Sequence, residues 1–149
     1  MYSRHQAREC ALQALYQCDV REDYSPALVD IYFEAFQTED EQSELLEFSK
    51  KIIAGVTDHL QEIDRVLQEA AKNWKVSRMS RLDRNILRIA VYEIQYGTDI
   101  PLKVCINEAV ELAKQYGGEE SPQFVNGVLD KVGTMVASGS PKECPPIVE

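Results

Sequence analysis

The sequence is short of the residues that break regular backbone. Seven glycines and six prolines serve 149 residues, and most stand at punctuation points such as Ser25-Pro26, Tyr96-Gly97, Gly117-Gly118 and Ser121-Pro122. That scarcity argues against many short strands joined by tight turns. Long apolar runs are missing too: nothing approaches the ~20 residues that span a bilayer, and no signal peptide opens the chain, which gives the expectation of a cytoplasmic protein without membrane contact. The four cysteines show no metal-ligand spacing. Cys10 and Cys18 would lie ~12 Å apart along one helix, too far to bridge, while Cys105 falls in a helical pattern and Cys144 in a Pro-rich tail, so reduced thiols are expected. The two histidines, His5 and His59, lack neighbours suited to metal ligation or a catalytic triad, and no Gly-rich loop follows a strand. Adjacent carboxylates such as Glu119-Glu120 read as solvated faces or helix N-termini. The expectation is a protein that is not an enzyme and has no cofactor and no metal.

Positive charge is also scarce. Sixteen Lys and Arg face 25 Asp and Glu, a net charge of −9, which argues against broad non-specific nucleic-acid binding. A local basic patch can still act within an acidic whole. Residues 2–8 carry Arg4, His5 and Arg8 with no acid, whereas 34–47 is strongly acidic.

What is abundant is helical periodicity. In LDRNILRIAVYE at 82–93, Leu82, Ile86, Ile89, Ala90 and then Ile94 recur at helical spacing, and Leu87 and Val91 widen the stripe past one face. This predicts a central helix buried on most sides, with Ser80 and Asp83 as a capping-box-like start. Asp83, Arg84 and Arg88 read as a residual solvent face or local pairs. Before it, Ser3 caps a first helix to about residue 19, with Ala7, Ala11, Ala14, Leu15 and Cys18 on one side. A second helix runs from Ser25-Pro26 to about 36, with Leu28, Ile31, Tyr32, Ala35 and Phe36 inward. A long one covers about 41–72, where Gly55 marks a close contact or a kink. Trp74 reads as an anchor where the chain folds back, rather than as a ligand platform. After the central helix, Val104, Ala109, Leu112, Ala113 and Tyr116 carry another helix that stops at Gly117-Gly118. Ser121-Pro122 opens the last, with Phe124, Val125, Val128, Leu129 and Val132 inward. The total is an all-α fold of about seven helices in one domain, 1–138, followed by a disordered tail, 139–149.

With no catalytic constellation, a binding surface is the better candidate. Single-stranded RNA is held by cations on phosphate and by rings that stack on unpaired bases. Arg4, His5 and Arg8 supply the first kind; Phe124 and Gln123 supply stacking and a base-edge contact. Arg4 and Arg8 fit a plain solvated face as well, and Phe124 fits the core. Gln13 is a polar donor with no specific signal of its own.

Three segments carry a resemblance: ARECALQALY at 7–16, LDRNILRIAVYE at 82–93, and PLKVCINEAVELAKQYGGEESPQFVNGVLDK at 101–131. In order and spacing they resemble the NusB family of bacterial transcription antitermination factors, over essentially residues 3 to 135. The resemblance implies two helical bundles packed side by side. It implies binding of the single-stranded boxA element of ribosomal RNA leaders near Arg4, His5, Arg8, Gln13, Gln123 and Phe124. It further implies a heterodimer with NusE, the small-subunit ribosomal protein that doubles as an elongation factor, and loading of the pair onto RNA polymerase. Tyr16 and Asp83 match residues on the partner-binding side, and Glu120 one near the RNA–partner junction. Two departures weaken the basic patch: family members often begin with a denser arginine run, and a basic residue just before the family's Phe is here Gln123. A helical protein-binding module without RNA recognition is one alternative. A detached domain of a ribosomal-RNA cytosine methyltransferase is another, although no nucleotide-binding βα pattern is present. Monomer and homodimer are both open, as the family contains each.

Overall fold

The computed structural model of the chain describes residues 3–34, 40–97 and 100–137. Seven α-helices follow one another: α1 (Arg4–Arg21), α2 (Pro26–Glu34), α3 (Asp40–Asp58), α4 (Leu60–Ala70), α5 (Arg81–Tyr96), α6 (Leu102–Tyr116) and α7 (Ser121–Ala137). A 3₁₀ turn, Val76–Arg78, leads into α5, and no strand occurs among the described residues. The expected tail at 139–149, and Ala35 and Phe36 of the second helix, lie outside the described residues, as do the side chains of Ile31 and Tyr32.

Local chemistry explains where the helices start. At α1 the Ser3 hydroxyl accepts the Gln6 N–H at 3.2 Å, while the Gln6 side chain accepts the Ser3 N–H at 2.8 Å, a closed capping box. At α5 only half of that device forms: the Ser80 hydroxyl accepts the Asp83 N–H at 3.1 Å. The aspartate is one methylene too short to reach back, and its Oδ1 is buried without a hydrogen-bond partner among the described residues. Helix α6 stops because Gly117 passes close to its neighbours; a Cβ there would sit 2.5 Å from the Ser121 side chain and 2.9 Å from the Ala113 carbonyl.

Helix α5 is the shared wall of two bundles. It packs against α1 and α3 on one side and α4, α6 and α7 on the other, and α2 rests on α1. Eleven of its 16 residues are buried, as the all-round apolar pattern predicts. Burying Ile86, Leu87, Ile89 and Val91, each at most 1% exposed, contributes on the order of 1.5–3 kcal/mol per side chain.

Two expectations need correction. The long helix over 41–72 is divided at His59, whose φ of −118° and ψ of 26° leave the helical region. The division lets α3 stay against α1 while α4 turns onto α7. Its ring stacks on Tyr96 at 4.0 Å, so the break is packed. Gly55 marks a close contact, not the kink: a Cβ there would fall 2.0 Å from the Tyr92 ring. The second correction concerns the charges of α5. Arg84 and Arg88 do not face solvent; they are 9% and 6% exposed and enter a buried network. Asp19 Oδ2 accepts from Arg84 Nε and Nη2 at 3.1 and 2.8 Å and from Asn85 Nδ2 at 3.0 Å. Arg88 forks onto Asp64 at 2.9 and 2.8 Å and donates to the Tyr24 hydroxyl at 3.2 Å.

Candidate nucleic-acid interface

One face of the molecule runs along the seam between α1 and α6 and ends at the turn joining α6 to α7. At its start, Arg4 is exposed and its guanidinium lies 4.8 Å over the Phe48 ring. His5 is half-buried, with Nδ1 at 2.6 Å from Glu108 Oε1 and Nε2 at 2.7 Å from Gln115 Oε1. Further along, the Tyr116 hydroxyl donates to Glu9 at 3.1 Å, and Gln13, exposed, hydrogen-bonds the same tyrosine. Tyr16, half-buried, then meets the turn. From Arg4 to Tyr16 the seam is about 18 Å long by helical rise.

Arg8 is not part of that exposed strip. It is 4% exposed, forks onto Glu93 at 2.8 and 2.9 Å and approaches Glu108 at 3.5 Å. The solvated-face reading of the Arg4 and Arg8 pair therefore holds for Arg4 alone. Glu93, 85 positions away along the chain, turns Arg8 inward, where it fastens α1 to α5. Arg4 keeps its charge at the surface.

His5 sits between oxygen acceptors on both ring nitrogens, an arrangement that an imidazolium satisfies by donating twice. Burial alone pushes its pKa down, but the hydrogen bonds to Gln115 and Glu108 and the charges of Glu108 and Glu9 outweigh it, and the net direction is upward. A folded value raised above the unfolded one adds stability that is complete below the ordinary histidine value and disappears as pH rises through the raised one. Urea unfolding over a pH series should therefore show His5→Gln costing most in mildly acidic buffer and progressively less towards alkaline pH. A cost independent of pH would mean the ring is held neutral.

Beyond the seam lie two adjoining depressions that share Ser80 and Gly118. One, about 310 Å³, is lined by Tyr16, Arg81, Leu82 and Gly117. The other, about 280 Å³, is lined by Trp74, Arg78, Met79, Asp83, Glu120, Ser121 and Phe124. Asp83, Glu120 and Phe124 thus converge on one cleft, and Tyr16 stands in the next. Phe124 packs half-buried against the core, as the inner stripe predicts, and also lines the cleft. Gln123 beside it is exposed.

Trp74 is a correction. It is 58% exposed and does not act as a buried anchor; its ring meets Phe124 edge-on at 5.7 Å and 73°. The sequence pattern reads as an anchor rather than a ligand platform at Trp74 and singles out neither Arg78 nor Arg81, which are exposed and add two cations to this face. Only the WKVSRMSR spacing before the central helix hinted at them: an aromatic and three cations within eight residues, 74–81. Among the described residues no cluster of His, Cys, Asp or Glu suits a metal ion, and no helix is long and apolar enough to cross a membrane.

Comparison with known proteins fits this geometry. The model of the NusB family matches residues 5–134. The transcription antitermination protein NusB of Myxococcus xanthus is 44% identical over 133 residues, covering 89% of this chain and 95% of the relative. That of Desulfotalea psychrophila is 46% identical over 142 residues, covering 91% and 98%. Among solved structures, T. maritima NusB superposes with a TM-score of 0.80 at 34% identity, covering 89% of this chain and 92% of that one. A crystal structure of the antitermination factors NusB and NusE in complex with double-stranded RNA superposes with a TM-score of 0.76 at 27% identity, covering 88% and 96%. With most of its length matched on both counts, the chain belongs to the NusB family of transcription antitermination proteins.

Proposed function

We propose that this protein is a non-enzymatic cytoplasmic adaptor that holds a boxA-type single-stranded leader RNA of ribosomal RNA operons while docking NusE, and helps load the pair onto RNA polymerase. The observation that carries the reading is the continuity of the α1 seam with two adjoining clefts, one aromatic and one built around Tyr16. A family relative crystallised with both NusE and RNA supports the two-partner form of the proposal. In this reading Arg4 contacts phosphate at the start of the seam, Gln13 and Gln123 offer base-edge donors, and Phe124 stacks on a base. His5 and Arg8 keep α1 in place beneath the RNA. Tyr16 faces NusE, with Asp83 and Glu120 at the junction between the two ligands. The mechanism is assembly: two modest contacts on one scaffold raise the effective concentration of the third.

Fluorescence anisotropy of a labelled boxA-type RNA, with and without NusE, tests this. Affinity should rise when NusE is present. If the exposed Arg4, Arg78 and Arg81 each neutralise one phosphate, the log affinity of the chain alone should fall with log salt at a slope of about −2, at roughly 0.7 per neutralised phosphate. The net charge of −9 and the carboxylates of the cleft favour the second reading, a protein-docking module. A stable complex with NusE that takes up no RNA would establish that second reading in place of the first.

A further inference from the structure

We propose that Trp74 and Phe124 frame a cleft for one unpaired nucleobase carrying an exocyclic amino group, with Asp83 accepting from that group and Arg78 meeting the adjoining phosphate. The proposal rests on the RNA-binding reading above and adds a residue and a base preference to it.

Trp74, 58% exposed, is the most open large apolar side chain among the described residues, ahead of Val20, Leu102 and Val104 at 41–45%, and presents an open aromatic face. Its backbone is held on both sides. Gln68 Nε2 donates to the Trp74 carbonyl at 2.9 Å, Gln68 Oε1 accepts the Val76 N–H at 3.0 Å, and the Trp74 N–H donates to the Ala71 carbonyl at 2.9 Å. The indole is thus presented from a fixed support, so little ordering is needed when a ring stacks on it. The edge-on contact with Phe124 closes one side and leaves the cleft of about 280 Å³ open between the rings and the start of α5.

The polar lining selects among bases. Asp83 lines the cleft with an acceptor-only carboxylate whose buried Oδ1 has no donor among the described residues, so the group keeps spare acceptor capacity. Glu120 adds a second acceptor-only group at the rim. An amino group of cytosine, adenine or guanine donates to a carboxylate at the cleft surface, whereas uracil turns a carbonyl to the same place. Two carboxylates disfavour a phosphate inside the cleft, so the phosphate belongs at its edge. Arg78 stands there, exposed and without an ion pair among the described residues.

Trp74 is the chain's single tryptophan, so its emission reports on this cleft in the unmodified protein. The full chain is titrated with oligocytidylate, oligoadenylate and oligouridylate of equal length, recording tryptophan emission and anisotropy of an RNA label together. Saturable quenching that tracks the anisotropy, with oligouridylate bound several-fold more weakly, is expected. Trp74→Ala should weaken oligocytidylate roughly 5- to 150-fold, the range for losing one base–aromatic stack. Trp74→Phe should recover most of that. Asp83→Asn should bring oligocytidylate and oligouridylate closer together. RNA bound by anisotropy with unchanged emission, or Trp74→Ala binding as tightly as the parent, overturns the proposal while sparing the RNA reading. Emission that responds to NusE alone and never to RNA assigns the cleft to protein and overturns it too. No RNA bound in the anisotropy arm removes both readings together.

Discussion

Asp19→Ala is expected to lower stability by about 3–5 kcal/mol, a loss as large as any expected from a single substitution outside the apolar core. Asp19 is 8% exposed near the end of α1, and one of its oxygens accepts three hydrogen bonds from α5. Its removal leaves the Arg84 guanidinium without a counter-charge in a site only 9% exposed, held by the Val76 and Ser77 carbonyls alone. Arg88 Nη1 also loses the carboxylate 3.6 Å away. The cost comes from the stranded cation, not from the bond count, so Asp19→Asn, which keeps the acceptor, should still lose more than half as much. For a chain of this length the melting temperature should fall by about 6–20 °C, at roughly 2–4 °C per kcal/mol. Arg65→Ala is the comparison, because Arg65 is 53% exposed and pairs with Glu62 at the surface, where such pairs are worth ~0–1 kcal/mol. If Asp19→Ala and Arg65→Ala melted within a degree or two of each other, the buried network would be ornamental.

That network also shows where sequence reasoning stops. The apolar periodicity of α5 announces a helix buried all round, and capping residues fix the start of α1 within a residue. Both signals are local. Whether Arg84 and Arg88 point to water or to a partner depends on Asp19 and Asp64, 65 and 24 positions away, and no i, i+4 rule reaches them. The same applies to Arg8 and Glu93. An unbroken apolar stripe likewise concealed the division at His59, because both segments keep their apolar faces on α5 while changing the other helix they touch. The candidate site was legible in part for a related reason. Phe124, Asp83 and Glu120 were named from the chain, yet their convergence on one cleft follows from how the α6–α7 turn meets the start of α5. Trp74 carried no periodic signal, and the sequence favoured an anchor over a platform there because nothing local shows that its ring stays 58% exposed.

Arg8→Ala and Arg4→Ala should separate stability from recognition, although the two arginines stand one turn apart on the same helix. Arg8→Ala removes the fork on Glu93, which is 2% exposed, and should cost about 3–5 kcal/mol in urea unfolding. Its effect on RNA affinity should be secondary and should vanish when folding is restored. Replacing the pair together, as Arg8→Met with Glu93→Leu, removes both charges and should recover much of the stability, because two apolar groups need no desolvation partner. Arg4→Ala should leave unfolding within about 0.5 kcal/mol of the parent, as expected for an exposed side chain whose contact is one ring face. It should instead weaken boxA-type RNA and make the salt slope shallower by about 0.7, the share of one phosphate on a single strand. An Arg4→Ala variant with an unchanged slope would move the phosphate path off the start of α1. An Arg8→Ala variant as stable as the parent, yet with the shallower slope, would mean that Arg8 leaves Glu93 for the RNA, and that the tie between α1 and α5 opens on binding.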